Sequence, residues 1–489
     1  MPRAELASKT AREEARVEQT VAAAKSDRDE ARHAYLDLRS WLTRLDETGR
    51  LAIARPETDL RFMLAGIANR NDGDRATIFP HPSGHPGTVV SGLLSRRAWM
   101  AEALGISEDR LLERFQAAEQ RPLAPVEVEN APCQEVVHED DFDLADLLPI
   151  PVHNEHDSGA YITAGLLISA NPKTGAQNVA IHRLQLSGPR ELGALLLPRH
   201  TLAFNDAAEA DGHDLPVAIV IGASPACLLA SQAIVPIDFD ELGIAGALCG
   251  APLEVVRCKG SELRVPARSE IVVEGRLKAN RRAPEGPFGE FPQYYGERDD
   301  RHVIEVDRVT TRSRPLFHTI VGGGLEHLLL GGIPREATIL ATMRRSHPGV
   351  VDVHLSRGGV CRYHLHVKLR RREAGEAKNV ILAALAAHYD IKHVVVVDED
   401  VDIHDPTEVE WAVATRFQAD RDMVMIPGSQ GSKLDPSTDN GLGCKTGFDA
   451  TVPAKAPEFR FRRIRVPGEE AIDLDDVLDP AARLAEVLS

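Results

Sequence analysis

Tyr161-Ile-Thr-Ala-Gly-Leu-Leu-Ile-Ser169, Asn171-Pro-Lys-Thr-Gly175 and Asn178-Val-Ala-Ile-His-Arg-Leu-Gln-Leu-Ser187 follow one another in the chain. The first and third are rich in β-branched and apolar residues. The second is turn chemistry, with Pro and Gly around an Asn. The three predict an antiparallel hairpin. In the returning strand Asn178, Ala180 and His182 point one way, and Val179, Ile181 and Arg183 the other, unless a bulge intervenes. Asn and Arg are unusual residues for a buried strand, so the hairpin is also a place to look for chemistry.

Further strand-like runs lie downstream: Val217–Ile221, Leu253–Cys258, Ser269–Glu274, His302–Val306 and Pro315–Val321. Such spacing suggests a barrel or a mostly antiparallel sheet. Upstream, residues 1–34 are charged and alanine-rich and read as a helical arm. Asp37–Leu45 has the three- and four-residue apolar spacing of an amphipathic helix. Short strands (Ala76–Phe79, Gly87–Val90) and a helix capped by Ser107 then make a small mixed α/β unit. Past Pro334 the pattern becomes α/β. Helices are predicted over Arg335–Arg345, Glu376–Tyr389 and from Pro406 to about Thr415, with an apolar strand at His393–Asp398 that implies a sheet covered on both sides. Gly428–Gly443 reads as a loop, and Glu469 to the end as a terminal helix broken near Pro480.

Composition narrows the function. A net charge of −17 argues against a nucleic-acid partner and against an anionic membrane surface. No apolar run is long enough to span a bilayer. The six cysteines form no CxxC pair, which suits reduced thiols in a cytoplasmic protein better than a disulfide frame or zinc site.

Chemistry is suggested by Glu285-Gly-Pro-Phe-Gly-Glu290-Phe-Pro-Gln-Tyr-Tyr-Gly296, two carboxylates in a loop stiffened by proline and opened by glycine. A tight surface turn with two solvated glutamates accounts for it about as well. His200 and Glu241, taken singly, are more often structural than ligating.

Taken in order, Asn178-x4-Arg183, His200, Glu241 and Glu285-Gly-Pro-Phe-Gly-Glu290 resemble the UbiD family of prenylated-flavin-dependent decarboxylases. Asp37-Leu-Arg-x-x-Leu, Asp157-x-Gly-x-Tyr-Ile-Thr-Ala-Gly165, Pro334-Arg-Glu336, Val397-Asp-Glu-Asp-Val-Asp402 and Lys445-x-Gly-x-Asp-Ala-Thr451 match further landmarks. The resemblance implies an α/β (α+β) chain: the arm (1–34), an N-terminal α/β unit (35–130), a split β-barrel that binds prenylated FMN (131–321), a linker helix region (322–345) and a C-terminal oligomerisation domain with a terminal helix (346–489). It implies a reversible, non-oxidative decarboxylase of an aromatic, heteroaromatic or α,β-unsaturated acid, with the flavin as covalent electron sink. Arg183, Glu285 and Glu290 would be catalytic: Arg183 orienting the substrate carboxylate, Glu290 donating the proton that replaces CO2, Glu285 holding Arg183. Asn178, His200 and Glu241 would bind Mn2+. K+ would sit between Glu241 and backbone oxygens around Ala223–Ala226. Asn178, Ile181, His182, Arg183, Arg199, His200, Ser224 and Glu241 would surround the flavin.

The same resemblance implies a homodimer or larger homo-oligomer, up to a hexamer, supplied with cofactor by a flavin prenyltransferase. His327 and Arg335 could read a second polar group on the substrate or merely bridge the linker helix. Two other functions stand beside the favoured one. A flavin-free metal hydrolase could use Asn178, His200 and Glu241, but lacks a clear nucleophile. A non-catalytic flavin-binding protein would have little need of Arg183, Glu285 and Glu290 together.

Overall fold

The computed structural model describes residues 34–479 and Arg483. The arm expected over residues 1–34 therefore lies, but for Ala34, outside the described residues. The amphipathic helix forms as α1, Leu38–Glu47. The Asp37 carboxylate caps it by accepting from the Ser40 N–H at 2.8 Å, and Leu38, Trp41, Leu42 and Leu45 are buried. Beside it, strands Leu51–Ile53, Ala76–Pro80 and Thr88–Ser91 make a small sheet. Its fourth strand, Leu316–His318, comes from far down the chain and pairs in parallel with Thr88–Val90.

The hairpin is β1 (Tyr161–Ala170) and β2 (Gln177–Gly188). With β3 (Glu191–Ala194), β4 (Leu215–Ile221), β5 (Ile271–Glu285) and β6 (Asp299–Thr311) it forms one antiparallel circuit, β1-β2-β3-β6-β5-β4 and back to β1. This is a closed six-stranded barrel. Alternation sorts its side chains. Val217, Ile219 and Ile221 of β4, Ile271 and Val273 of β5, and Ile304 and Val306 of β6 share one core cluster with Phe204 and Ala208 of helix α2 (His200–Ala210). Residues of all six strands meet there, so this cluster is the lumen, stopped by α2. Ala218, Val220, Val272 and Val179 face outward, into the larger core that also holds Leu242, Ile244 and Ala245 of helix α3 (Glu241–Cys249).

Helix α4, Leu325–Ser346, joins the units. It begins ten residues before the start predicted at Arg335, with Gly331, Gly332 and Pro334 inside it. Tertiary anchors override those local breakers. Asp72 accepts from the Leu325 N–H at 2.6 Å, and Glu326 accepts from the Gly92 and Leu94 N–H groups. Farther on, Glu336 accepts from the Leu355 N–H at 2.7 Å and pairs with Arg97 and His354. Pro334 still removes the N–H that would have met the Leu330 carbonyl.

The C-terminal sheet has the order β7 (Val350–Leu355), β8 (His364–Leu369), β9 (His393–Asp398), β11 (Leu442–Asp449), β10 (Met423–Gln430). Val394 and Val396 of β9 share a cluster with Val380, Ile381 and Ala384 of α5 (Glu376–Ala387), whereas Val397 meets Val409 and Ala412 of α6 (Pro406–Arg416). The sheet is covered on both faces, as its apolar run requires.

Three local expectations change. Ser107 makes no side-chain cap, because a 3-10 turn at Glu108–Arg110 intervenes before the helix Leu111–Gln120. The predicted 428–443 loop is shorter, since β10 and β11 extend into both its ends. Of the terminal helix expected from Glu469, residues up to 479 form only the turns Glu469–Ala471 and Leu474–Val477, with Asp473, Asp475 and Asp476 crowding the second; the rest of it, but for Arg483, lies outside the described residues. No helix among the described residues is long and apolar enough to cross a membrane.

Candidate active site

Strand β2 presents opposite faces to two sites. No register shift interrupts it between Asn178 and His182, so the alternation expected there holds. Arg183 projects outward, opposite a bulge in β1 where the register shifts between Ile162 and Gly165.

Glu285 is the last residue of β5, paired with Asp299 across the barrel-closing ladder. Gly286 then takes φ +90°, and a Cβ there would lie 2.9 Å from the Glu297 carbonyl oxygen, so only glycine lets the chain fold back. The peptide bond to Pro287 is cis. The returning loop brings Glu290 beside Glu285, and one guanidinium meets both: Arg183 Nη2 donates to Glu285 Oε2 at 2.8 Å, and Nη1 to Glu290 Oε1. Side-chain exposures of 8%, 0% and 11% for Arg183, Glu285 and Glu290 rule out the solvated surface turn. Tyr161 places its hydroxyl 3.1 Å from Glu285 Oε1 and 3.1 Å from Gln185 Oε1. Phe288 lies under the guanidinium and against the Tyr161 ring, at 5.3 Å and 4.4 Å.

Two buried carboxylates around one cation leave a negative charge unbalanced. Burial pushes the Glu290 carboxyl above its ordinary value; Arg183 opposes this, and Glu285 adds to it. A proton on Glu290 relieves the imbalance, so the set is built to carry one. Arg183 Nε is buried without a hydrogen bond, a donor free for a ligand.

On the other face, Asn178 Oδ1 lies 3.0 Å from His200 Nδ1, at the first residue of α2. Glu241 begins α3 and accepts from the Val179 N–H at 2.9 Å. It is 3% exposed and has no cationic partner among the described residues, and burial pushes its carboxyl up to about 8. Burial also lowers His200, favouring the neutral imidazole. An amide oxygen, a neutral ring nitrogen and a buried, uncompensated carboxylate are a donor set that fits a hard divalent cation. Among the described residues no three His, Cys, Asp or Glu side chains form a metal cluster, and this set has only two of those types.

His182 lies near Leu195 O and Thr201 Oγ1, and burial drops it to about 4, so it is neutral. Ile181 is half-buried against the larger core. Ser224 caps the short helix Pro225–Ala230. Arg199 is exposed and reaches Tyr389 in the C-terminal unit, 3.4 Å away. His327 Nδ1 accepts from the Gly323 N–H at 3.2 Å, and Arg335 Nη1 donates to Gly331 O, so both do bridge the linker helix. Sequence reasoning missed Tyr161 and Gln185, which look like ordinary strand residues. It also missed Arg362, whose guanidinium stacks 5.3 Å from the Phe291 ring, one residue past Glu290. The only local hint was an Arg between apolar residues at Val360–Tyr363.

Comparison with known proteins bears on most of the chain. The UbiD models for the N-terminal, Rift-related and C-terminal domains of 3-octaprenyl-4-hydroxybenzoate carboxy-lyase match residues 42–119, 125–325 and 328–450. Anhydromevalonate phosphate decarboxylase of Methanothermobacter thermautotrophicus is 37% identical over 426 residues, 86% of this chain and 98% of the relative. The UbiD-class enzyme HmfF from Pelotomaculum thermopropionicum, solved in complex with FMN, superimposes with a TM-score of 0.89 at 45% identity, covering 90% of this chain and 100% of its own. An evolved dimeric form of that enzyme, in complex with prFMN, gives 0.85 at 43%, covering 91% and 100%.

Proposed function

The chain belongs to the UbiD family of carboxy-lyases, and on that premise we propose that it is a reversible, prenylated-FMN-dependent decarboxylase of a planar unsaturated acid. The acid is aromatic, heteroaromatic or α,β-unsaturated. The observation that carries the reading is Arg183 held between two buried carboxylates, one of them poised to keep a proton.

Arg183 orients the substrate carboxylate with its free Nε and the Nη that Glu290 releases. Glu290, protonated, gives its proton to the carbon that has lost CO2. Glu285, steadied by Tyr161, keeps the guanidinium in place. When bound, the prenylated flavin supplies the electron sink that lets the carboxylate leave. Asn178, His200 and Glu241 would hold Mn2+, which would supply positive charge toward an anionic cofactor. Glu241 and backbone oxygens around Ala223–Ala226 would hold K+. The solved neighbours with FMN and prFMN support the cofactor, and the dimeric form supports a homodimer or larger assembly, up to a hexamer. The enzyme works in the cytoplasm beside a flavin prenyltransferase.

The test is the mass and spectrum of the cofactor released from protein produced with a flavin prenyltransferase, Mn2+ and K+. Prenylated FMN near one per chain is the expected result, and Glu241→Ala should lose both metal and flavin. Protein that binds metal but no flavin of any kind would overturn the reading and restore the hydrolase.

A further inference from the structure

Asp157 stands four residues before Tyr161 in the motif that leads into β1, and its carboxylate is turned onto the catalytic loop. Asp157 Oδ1 accepts from the Gly289 N–H at 2.8 Å, on the residue just before Glu290. Asp157 Oδ2 accepts from the Asn154 N–H at 2.9 Å and from Asn154 Nδ2 at 3.1 Å. Three N–H donors thus converge on one carboxylate, and among the described residues no cation pairs with it. Burial pushes its pKa up, and the same donors oppose that shift, as donors to a charged form do.

The fit around Gly289 is close. A Cβ there would stand 2.5 Å from Asn154 Nδ2, and a Cβ on Gly322 would stand 2.4 Å from the Gly289 carbonyl oxygen, so neither position admits a side chain. The rest of the 154–158 segment reaches the same loop. The Ser158 N–H donates to Pro287 O at 2.9 Å, and the His156 N–H donates to the Tyr295 hydroxyl at 3.3 Å. The His156 and Tyr295 rings lie 5.3 Å apart.

Glu285 is fixed by other means, because it ends β5 within the ladder to β6. Glu290 lies beyond that ladder, and its own backbone bonds are local. Its N–H donates to Tyr294 O at 2.9 Å and its carbonyl accepts from the Gln293 N–H at 3.0 Å, while Tyr294 is 61% exposed. Phe288–Gly289 and Tyr295–Gly296 pair only with each other. A ribbon that short is not stable alone, so its place over Arg183 is set from outside. Asp157 supplies the charge-assisted contact to its backbone.

We propose that Asp157 is the positioning residue for Glu290: by holding the Gly289 N–H it sets the proton donor against Arg183 and toward the reacting carbon. This rests on the reading of Glu290 as the donor. Asp157 acts through the loop and not on the substrate, and Asn154 aligns its carboxylate for the task.

The test sets Asp157→Ala beside Asp157→Asn in the flavin-loaded enzyme. The amide oxygen of Asn can still accept from Gly289, but its NH2 then meets the Asn154 N–H, so Asn keeps only part of what Ala loses. Amide hydrogen exchange read by mass spectrometry needs no substrate. Peptides over 286–296 should exchange about tenfold faster in Asp157→Ala and less so in Asp157→Asn, with the barrel strands unchanged. On whichever acid of a benzoate, cinnamate and sorbate panel is turned over best, kcat should fall about 100-fold for Ala and about tenfold for Asn, with KM and flavin content unchanged. Where none of the three is a substrate, exchange alone decides. A role in folding alone would speed exchange throughout the chain, or lower flavin content, and would not rank Asn above Ala in kcat. The inference falls on any of those results, and also if exchange over 286–296 stays within about twofold of the parent or kcat within about threefold. Should Asp157→Ala not fold, Asp157→Asn carries the comparison with the parent. The donor reading fails separately: Glu290→Gln with normal turnover would refute it and leave the exchange result standing.

Discussion

Arg183 and Arg362 are both buried, both stack on a phenylalanine of the Glu285–Gly296 loop, and differ in what surrounds them. Arg183 has two carboxylates and sits in a surplus of negative charge. Arg362 has carbonyl oxygens and arginine for company and sits in a surplus of positive charge. A negative surplus is relieved by a proton, and a positive one by an anion. The same side chain thus meets opposite charge imbalances beside two phenylalanines of one loop.

The sharpest way to break this contrast is to remove the proton. Glu290→Gln keeps shape and loses the acid, so kcat should fall by roughly 1,000-fold while flavin stays bound, measured as single-turnover CO2 release. Undiminished turnover would move the donor elsewhere. Next comes the charge itself. Arg183→Gln strands two buried carboxylates and should destabilise the ligand-free protein by about 3 kcal/mol in urea. Arg362→Gln removes an uncompensated cation and should cost less than about 1 kcal/mol, or stabilise. Equal losses would erase the distinction.

A smaller effect concerns pH. Only protonated Glu290 can donate, so the rate should fall as pH rises through its raised pKa. Glu285 helps raise that value. Glu285→Gln should therefore move the falling limb of the kcat profile toward acid, by on the order of one unit; a shift toward base would contradict the assignment. Least of all, Tyr161→Phe loses one contact to Glu285 and should cost about 1 kcal/mol, or roughly fivefold in kcat.

The hairpin was legible because its periodicity and its Asn-Pro-Lys-Thr-Gly turn are local signals. Closure of the barrel was not, since the β5–β6 pairing runs from Ile271↔Thr311 to Glu285↔Asp299 with two irregularities that no local pattern encodes. The strand faces placed Arg183 opposite Asn178 and His182 correctly. That Glu285 and Glu290 share one guanidinium needed the fold-back at Gly286. The start of helix α4 was read too late from local spacing, though within the linker helix region expected over 322–345: Gly331, Gly332 and Pro334 signal a break, and only the contacts made by Leu325, Glu326 and Glu336 overrule them. Arg362 had only its apolar flanks for a signal, because its partners are a glycine thirty-one residues away and an aromatic ring in another domain.

The strand Leu316–His318 has a consequence for how the molecule is made. It completes a sheet whose other three strands end at Ser91. At about 5–20 residues per second, a ribosome takes on the order of ten seconds or more to supply it. Throughout that time Thr88–Ser91 is an open sheet edge on a nascent chain, the kind of surface that recruits chaperones or pairs with a neighbour. A fragment cut after the N-terminal family match at residue 119 would keep that edge permanently. The smallest autonomous form of the N-terminal unit therefore includes the barrel that follows it.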